Sequence, residues 1–140
     1  MNDVARKPFP ELNALDPVFQ KYPEIQAVYV FGSVATGKVK AGSDLDLGIV
    51  PKTPSLHERK LDILTDLARL GFCEVDLVFL DVKDIVLRFE IVKHNKVIYQ
   101  TSDFDKGEYY SRILRQYFDF LPYLKVQREA LKRRILDGKH

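Results

Sequence analysis

Two short features between Val28 and Val50 carry residue types suited to phosphate and metal chemistry. The first is Gly32-Ser33, at the end of the apolar run Val28-Tyr-Val-Phe31. The second is Asp44-Leu45-Asp46, ten residues further on, at the head of another apolar run. Glycines at 32, 37 and 42 allow backbone dihedrals other residues avoid, and let the chain approach a ligand closely. Ser33 offers a hydroxyl, and a helical turn over 33–36 would aim free N–H groups at an anion. Lys38 and Lys40 could add positive charge. On a strand, residues two apart share a face at about 6.6 Å spacing. Asp44 and Asp46 therefore point one way while Leu45, Leu47 and Ile49 point into a core. Two such carboxylates repel without a counter-charge. Mg2+, a hard ion that takes oxygen ligands and shares its coordination with substrate phosphates, is the natural one. A Gly-Ser turn alone mostly connects elements, and an acidic strand edge alone is mostly solvated surface. Together, at this spacing, they suit the phosphates of a nucleoside triphosphate and its metal ions.

A later segment offers a third carboxylate. In Cys73-Glu-Val-Asp-Leu-Val-Phe-Leu80, the apolar set Cys73, Val75, Leu77 and Phe79 alternates with Glu74 and Asp76. If this strand lies beside the Asp44 strand, Asp76 joins the pair on one sheet face. Glu74 competes for the position, but Asp76 sits deeper in the apolar run. Three carboxylates suit a two-metal phosphoryl or nucleotidyl transfer, in which ions about 3.5–4 Å apart clamp the attacking and leaving oxygens.

The elements that must position these residues read as one α/β (α+β) domain over 1–140, a small mixed sheet flanked by helices. Pro10 to Tyr22 has apolar residues at helical spacing and stops at Pro23. Strands are expected over Ile25–Phe31, Asp44–Val50 and Cys73–Leu80, with a short closing strand at Lys96–Tyr99. Ser55-Leu-His-Glu58 has capping-box spacing before a helix whose stripe is Leu56, Leu61, Leu64, Leu67, Ala68 and Leu70, closing at Gly71. Asp84–Val92 reads as a helix, and Phe104–Leu136 as a long one capped by Ser102 or Asp103. Pro122 should break or kink it, because proline removes a donor and clashes with the preceding turn. The core thus covers about 20–100 and the C-terminal helical segment about 103–137.

The composition is that of a globular chain: 46% hydrophobic, 30% charged, and a net charge of +2 that does not force a nucleic-acid partner. Cys73 is the only cysteine, which rules out an intramolecular disulfide and a cysteine zinc cluster, and its apolar run suggests a small buried side chain. No membrane span or secretory signal is evident, so a cytoplasmic protein is expected. Two features of the tail stand out. Lys125, Arg128, Lys132, Arg133, Arg134 and Lys139 crowd against Glu129 and Asp137 alone, a solvated helix face or a docking surface. Phe104, Tyr109, Tyr110, Tyr117, Phe118, Phe120 and Tyr123 are more rings than one helix face needs for packing, which points to a protein partner.

Gly32-Ser33, Asp44-x-Asp46 and Asp76 resemble the motif of the nucleotidyltransferase superfamily typified by DNA polymerase β. The interval and the short length are similar to the MntA-like minimal nucleotidyltransferases, the MNT antitoxins of HEPN/MNT toxin–antitoxin systems. The resemblance continues through Val86-Leu-Arg-Phe-Glu90, Lys96-Val-Ile-Tyr99, Tyr109, Tyr117-Phe-Asp-Phe120 and Pro122, covering roughly residues 20–136. It implies a minimal nucleotidyltransferase fold and transfer of AMP from ATP to a tyrosine of a partner HEPN-type RNase toxin. It further implies that Gly32 and Ser33 contact the triphosphate and that Asp44 and Asp46 hold magnesium, with two ions expected. Asp76 would complete the site and help deprotonate the tyrosine. Whether Arg88, Lys38 or Lys40 touches phosphate is left open. Two other classes stay in view: a nucleotidyltransferase for a small molecule such as an aminoglycoside, and a non-catalytic antitoxin that occludes its toxin. An RNA-tailing polymerase is disfavoured because no RNA-binding module accompanies the core.

Overall fold

The computed structural model describes residues 12–32 and 45–138. Four strands form one mixed sheet: β1 (Ile25–Phe31), β2 (Leu45–Pro51), β3 (Val75–Phe79) and β4 (Val97–Gln100), in the order β3-β2-β1-β4. β1 is antiparallel to β2 and β4, while β2 is parallel to β3. Parallel neighbours need a crossover. Here it is a 3-10 helix over Pro54–Arg59 followed by α2 (Lys60–Arg69). A short α1 (Asp16–Gln20) precedes the sheet, α3 (Ile85–Val92) joins β3 to β4, and α4 (Lys106–Asp137) closes the described chain. The α/β character, the small mixed sheet and the long C-terminal helix all match the expectation.

Strand alternation builds a core on each face. Leu45, Leu47 and Ile49, all fully buried, join Val28, Val30 and Leu77 against Phe19, Leu56, Ile63 and Leu67. Each such side chain contributes about 1.5–3 kcal/mol by leaving water. The opposite face carries Ala27, Tyr29 and Val50, covered by Leu80, Ile91, Val92, Phe104 and Ile113. A register irregularity between Ile25 and Ala27 resets the alternation of β1, so that Ile25 and Val28, three residues apart, serve the same core. Gly48 lets α3 ride close to the sheet, since a Cβ there would lie 2.5 Å from Ile91 Cγ2.

Several local expectations are corrected. Ser55 caps no α-helix: it lies inside the 3-10 turn, its hydroxyl bonded to that of Thr53 at 2.7 Å, and α2 starts only at Lys60. The tighter 3-10 winding shifts the phase of the stripe. Ile63, Asp66 and Leu67 therefore face inward, Leu61 stands 75% exposed, and Ala68 and Leu70 are exposed too. Cys73 is exposed rather than buried, because β3 begins two residues later. Asp105, not Ser102 or Asp103, caps α4 by accepting from the Glu108 N–H at 3.0 Å. Of the break or kink expected at Pro122, the break does not occur: α4 continues through it. The carbonyl deprived of its donor belongs to Phe118, an exposed residue, so the loss falls away from the cores. The helix after Pro54 does close as expected, with Gly71 in the left-handed region at φ +99°.

The α1–α2 junction is held by a polar knot. Asp66, 9% exposed, accepts from Tyr22 Oη at 2.6 Å and Lys21 Nζ at 2.9 Å. Those two bonds hold its carboxyl below the ordinary 3.8, and burial together with Asp66 pushes the Tyr22 hydroxyl up to about 12. The depressed carboxyl adds stability that is present above its unfolded pKa and lost as pH falls through the folded one. The raised phenol adds stability that is present below pH 10 and lost as pH rises towards 12. The difference in urea midpoint between wild type and Tyr22→Phe should therefore hold steady between these limits. It should shrink below pH 3.8 and again above pH 10. A pH-independent difference would rule the knot out. Gly48→Ala should cost about 1–3 kcal/mol in the same assay through overpacking against Ile91.

Candidate functional site

The head of β2 meets the end of β1, and Phe31 pairs with Asp46 in the antiparallel register. The next residue, Gly32, has φ +70°. A Cβ at Gly32 would collide with Asp46 Oδ2, so the carboxylate rests in the space that the missing side chain leaves. Gly32 is thus required twice, for its left-handed backbone and for its bareness.

On its other side β2 pairs with β3, and Asp46 is the register partner of Asp76. Partnered residues project from the same face of adjacent strands, and neighbouring strands lie about 4.8 Å apart. Asp46 is half-buried and Asp76 exposed. A bond from the Leu45 N–H to the Glu74 carbonyl, 2.8 Å, ties the two strand heads together and fixes this register. Glu74 lies just before β3, so Asp76, not Glu74, sits beside Asp46. The structure thereby brings Gly32, Asp46 and Asp76 to one end of the sheet. Ser33, Lys38, Lys40 and Asp44 lie outside the described residues.

The two carboxylates present only acceptor oxygens, a donor set that suits a hard divalent cation such as magnesium. Among the described residues no group of three His, Cys, Asp or Glu side chains converges on one metal position. Asp46 and Asp76 supply two of the three expected carboxylates.

A cavity of about 370 Å³ lies elsewhere, over the opposite ends of β1 and β2 near Gln26, Val50 and Pro51. Tyr29 stands between the two places, its ring against Phe104 and Tyr109 and its register partner the bare Gly48. Arg88 lines the cavity rather than the Asp46 end, and its Nη1 donates to Gln116 Oε1 at 3.3 Å. Asp81, on the same cavity, holds His57 Nε2 through both oxygens at 2.8 and 2.9 Å, and the imidazole stacks on Phe79 at 4.3 Å. This clasp ties the crossover to the end of β3. Nothing in the local sequence pattern links these two residues, which lie 24 positions apart.

The contact between Gly32 and Asp46 can be tested by coupling. Gly32→Ala should destabilise by about 1–2 kcal/mol from the left-handed backbone alone, and by more from the collision with Asp46. In a double-mutant cycle, adding Asp46→Ala should recover the collision part but not the backbone part. Strict additivity would show that the carboxylate does not occupy that space.

Residues 13–104, about two-thirds of the chain, match the family described as "Polymerase beta, Nucleotidyltransferase". Similar solved structures carry the same fold. One, a mutant of the toxin–antitoxin MntA–HpeT, superposes with a TM-score of 0.69 at 20% identity, covering 91% of this chain and 99% of that one. A toxin–antitoxin with AMP-PNP gives 0.68 at 21% identity over 91% and 99%. A tri-AMPylated Shewanella oneidensis HEPN toxin in complex with MNT antitoxin gives 0.62 at 20% identity over 89% and 95%. No curated protein matches the sequence. Among the described residues no helix is long and apolar enough to cross a membrane. With the glycine turn and the paired carboxylates of adjacent strands lying inside the matched region, the chain belongs to the polymerase β-type nucleotidyltransferase family.

Proposed function

We propose that this chain is an antitoxin that transfers AMP from ATP to a tyrosine of a HEPN-type RNase toxin and thereby silences it. The observation that carries the reading is the Asp46–Asp76 pairing, seated beside Gly32 in a nucleotidyltransferase fold. The complex of a HEPN toxin with an MNT antitoxin, of like fold, supports the choice of partner, and the toxin–antitoxin structure with AMP-PNP supports ATP as donor. ATP as donor implies action in the cytoplasm. The reading takes 1–140 as one nucleotidyltransferase domain.

In this reading Gly32 and Ser33 would hold the triphosphate by backbone and hydroxyl donors, and Asp44, Asp46 and Asp76 would hold two magnesium ions. The ions, when bound, neutralise charge on the phosphate oxygens as it develops. Asp46 is seated in the Gly32 recess and would hold its share of the metal from there. Asp76, exposed at the rim, meets the incoming tyrosine and accepts its proton. The tyrosine oxygen bonds to the α-phosphorus, the bond from that phosphorus to the β-phosphate's bridging oxygen breaks, and pyrophosphate leaves. The residues contribute mainly position and charge placement.

The test is intact mass spectrometry after incubation with ATP, magnesium and the product of the neighbouring gene. AMP-sized additions on the partner are expected. Asp46→Asn and Asp76→Asn should each slow them on the order of a hundredfold or more. Full neutralisation with no mass change, retained in both variants, would replace catalysis with occlusion.

A further inference from the structure

One helical seam in α4 changes partners halfway. Tyr110, Ile113, Tyr117, Leu121, Leu124, Arg128, Leu131 and Ile135 recur at intervals of three or four, which places them along one line of the helix. The first three pack on the domain: Ile113 is buried, Tyr110 lies against the second core, and Tyr117 stacks on Phe89 of α3 at 4.0 Å and 8°. Beyond Pro122 the same line runs on uncovered, with Leu131 and Ile135 more than half exposed. α4 spans 32 residues, about 48 Å, so this half projects past the sheet.

The charges around that half are sorted. At 3.6 residues per turn, Lys125 and Lys132 fall on one margin of the seam and Arg134 on the other, with Arg128 in the seam itself, while Glu129, Arg133 and Asp137 fall on the back. None of Lys125, Arg128, Lys132 and Arg134 joins an ion pair among the described residues. A second copy of this chain would set like charges against one another across the seam, which is destabilising. An acidic partner would gain where a second copy loses, in affinity and in rate of encounter.

We infer that the distal half of α4 is a docking face for a partner protein that presents an apolar helix stripe flanked by Asp and Glu. The inference deepens the toxin-partner reading above and rests on it for which protein that is. Apolar residues of the seam supply contact area, and the basic margins set register and orientation. The face lies on a different element from Asp46 and Asp76, so holding the partner and transferring AMP are separable.

The experiment measures the Kd of a HEPN-type protein, sought as the product of the neighbouring gene, for full-length wild type and two variants. One variant is Lys125→Glu/Arg128→Glu/Lys132→Glu; the other is Leu131→Asp/Ile135→Asp. None of these side chains belongs to either core, so circular dichroism and melting should match wild type. Each variant should raise Kd about tenfold or more, and the charge variant should also lose the salt dependence of binding. Magnesium-dependent ATP binding should be unchanged. Kd values unchanged in both variants overturn the docking face and leave the AMP-transfer reading standing. Variant-sensitive binding without any AMP transfer supports the face and removes that reading. A wild-type chain that ignores the HEPN protein overturns both. Self-association in sedimentation that Leu131→Asp abolishes assigns the face to a second copy instead.

Discussion

The structure depends on the register of β2. Its odd-numbered residues, Leu45, Leu47 and Ile49, complete one core, and its even-numbered ones, Asp46, Gly48 and Val50, face the other side. Slipping the strand by one residue would bury the Asp46 carboxylate and expose three core side chains. The register is therefore held by the core as strongly as by any bond at the site. The Leu45–Glu74 backbone bond and the parallel ladder carry it to β3, and with it the position of Asp76. A core constraint and a chemical one are the same constraint here.

The two faces of the sheet are used unequally. The face under α1 and α2 is covered by a packed core of aliphatic and aromatic side chains, Phe19, Phe72 and Phe79 among them. The other is divided. One end carries Asp46 and Asp76, the middle is filled by Tyr29 beneath Phe104 and Tyr109, and the far end opens into the cavity near Arg88 and Asp81. A large ring paired with a bare glycine keeps the two ends apart.

Much of this was legible in the sequence, for a physical reason. Period-two alternation reports strand faces directly, so the grouping of Asp76 with Asp46 needed only the assumption that β2 and β3 are neighbours. The glycine turn was legible because few residues other than glycine suit such a backbone. What failed was mostly local. Ser55 looked like a cap, but the 3-10 turn that Pro54 begins delays the helix and turns Leu61 outward. Cys73 looked buried because alternation gives no strand ends. Pro122 looked disruptive, yet its orphaned carbonyl falls on the exposed side. The His57–Asp81 clasp and the contact of Gly48 with Ile91 were invisible, being set by tertiary approach alone.

Gly48 has a reach well beyond its own position. Because it has no side chain, Ile91 settles against the sheet and fixes the height of α3. α3 in turn offers Phe89 as the plate on which Tyr117 lies flat. The long helix is thus aimed by a stack whose lowest layer is an absence. A single methyl group added in the middle of β2 would be felt as a change of bearing some tens of ångströms away, at the tip of α4.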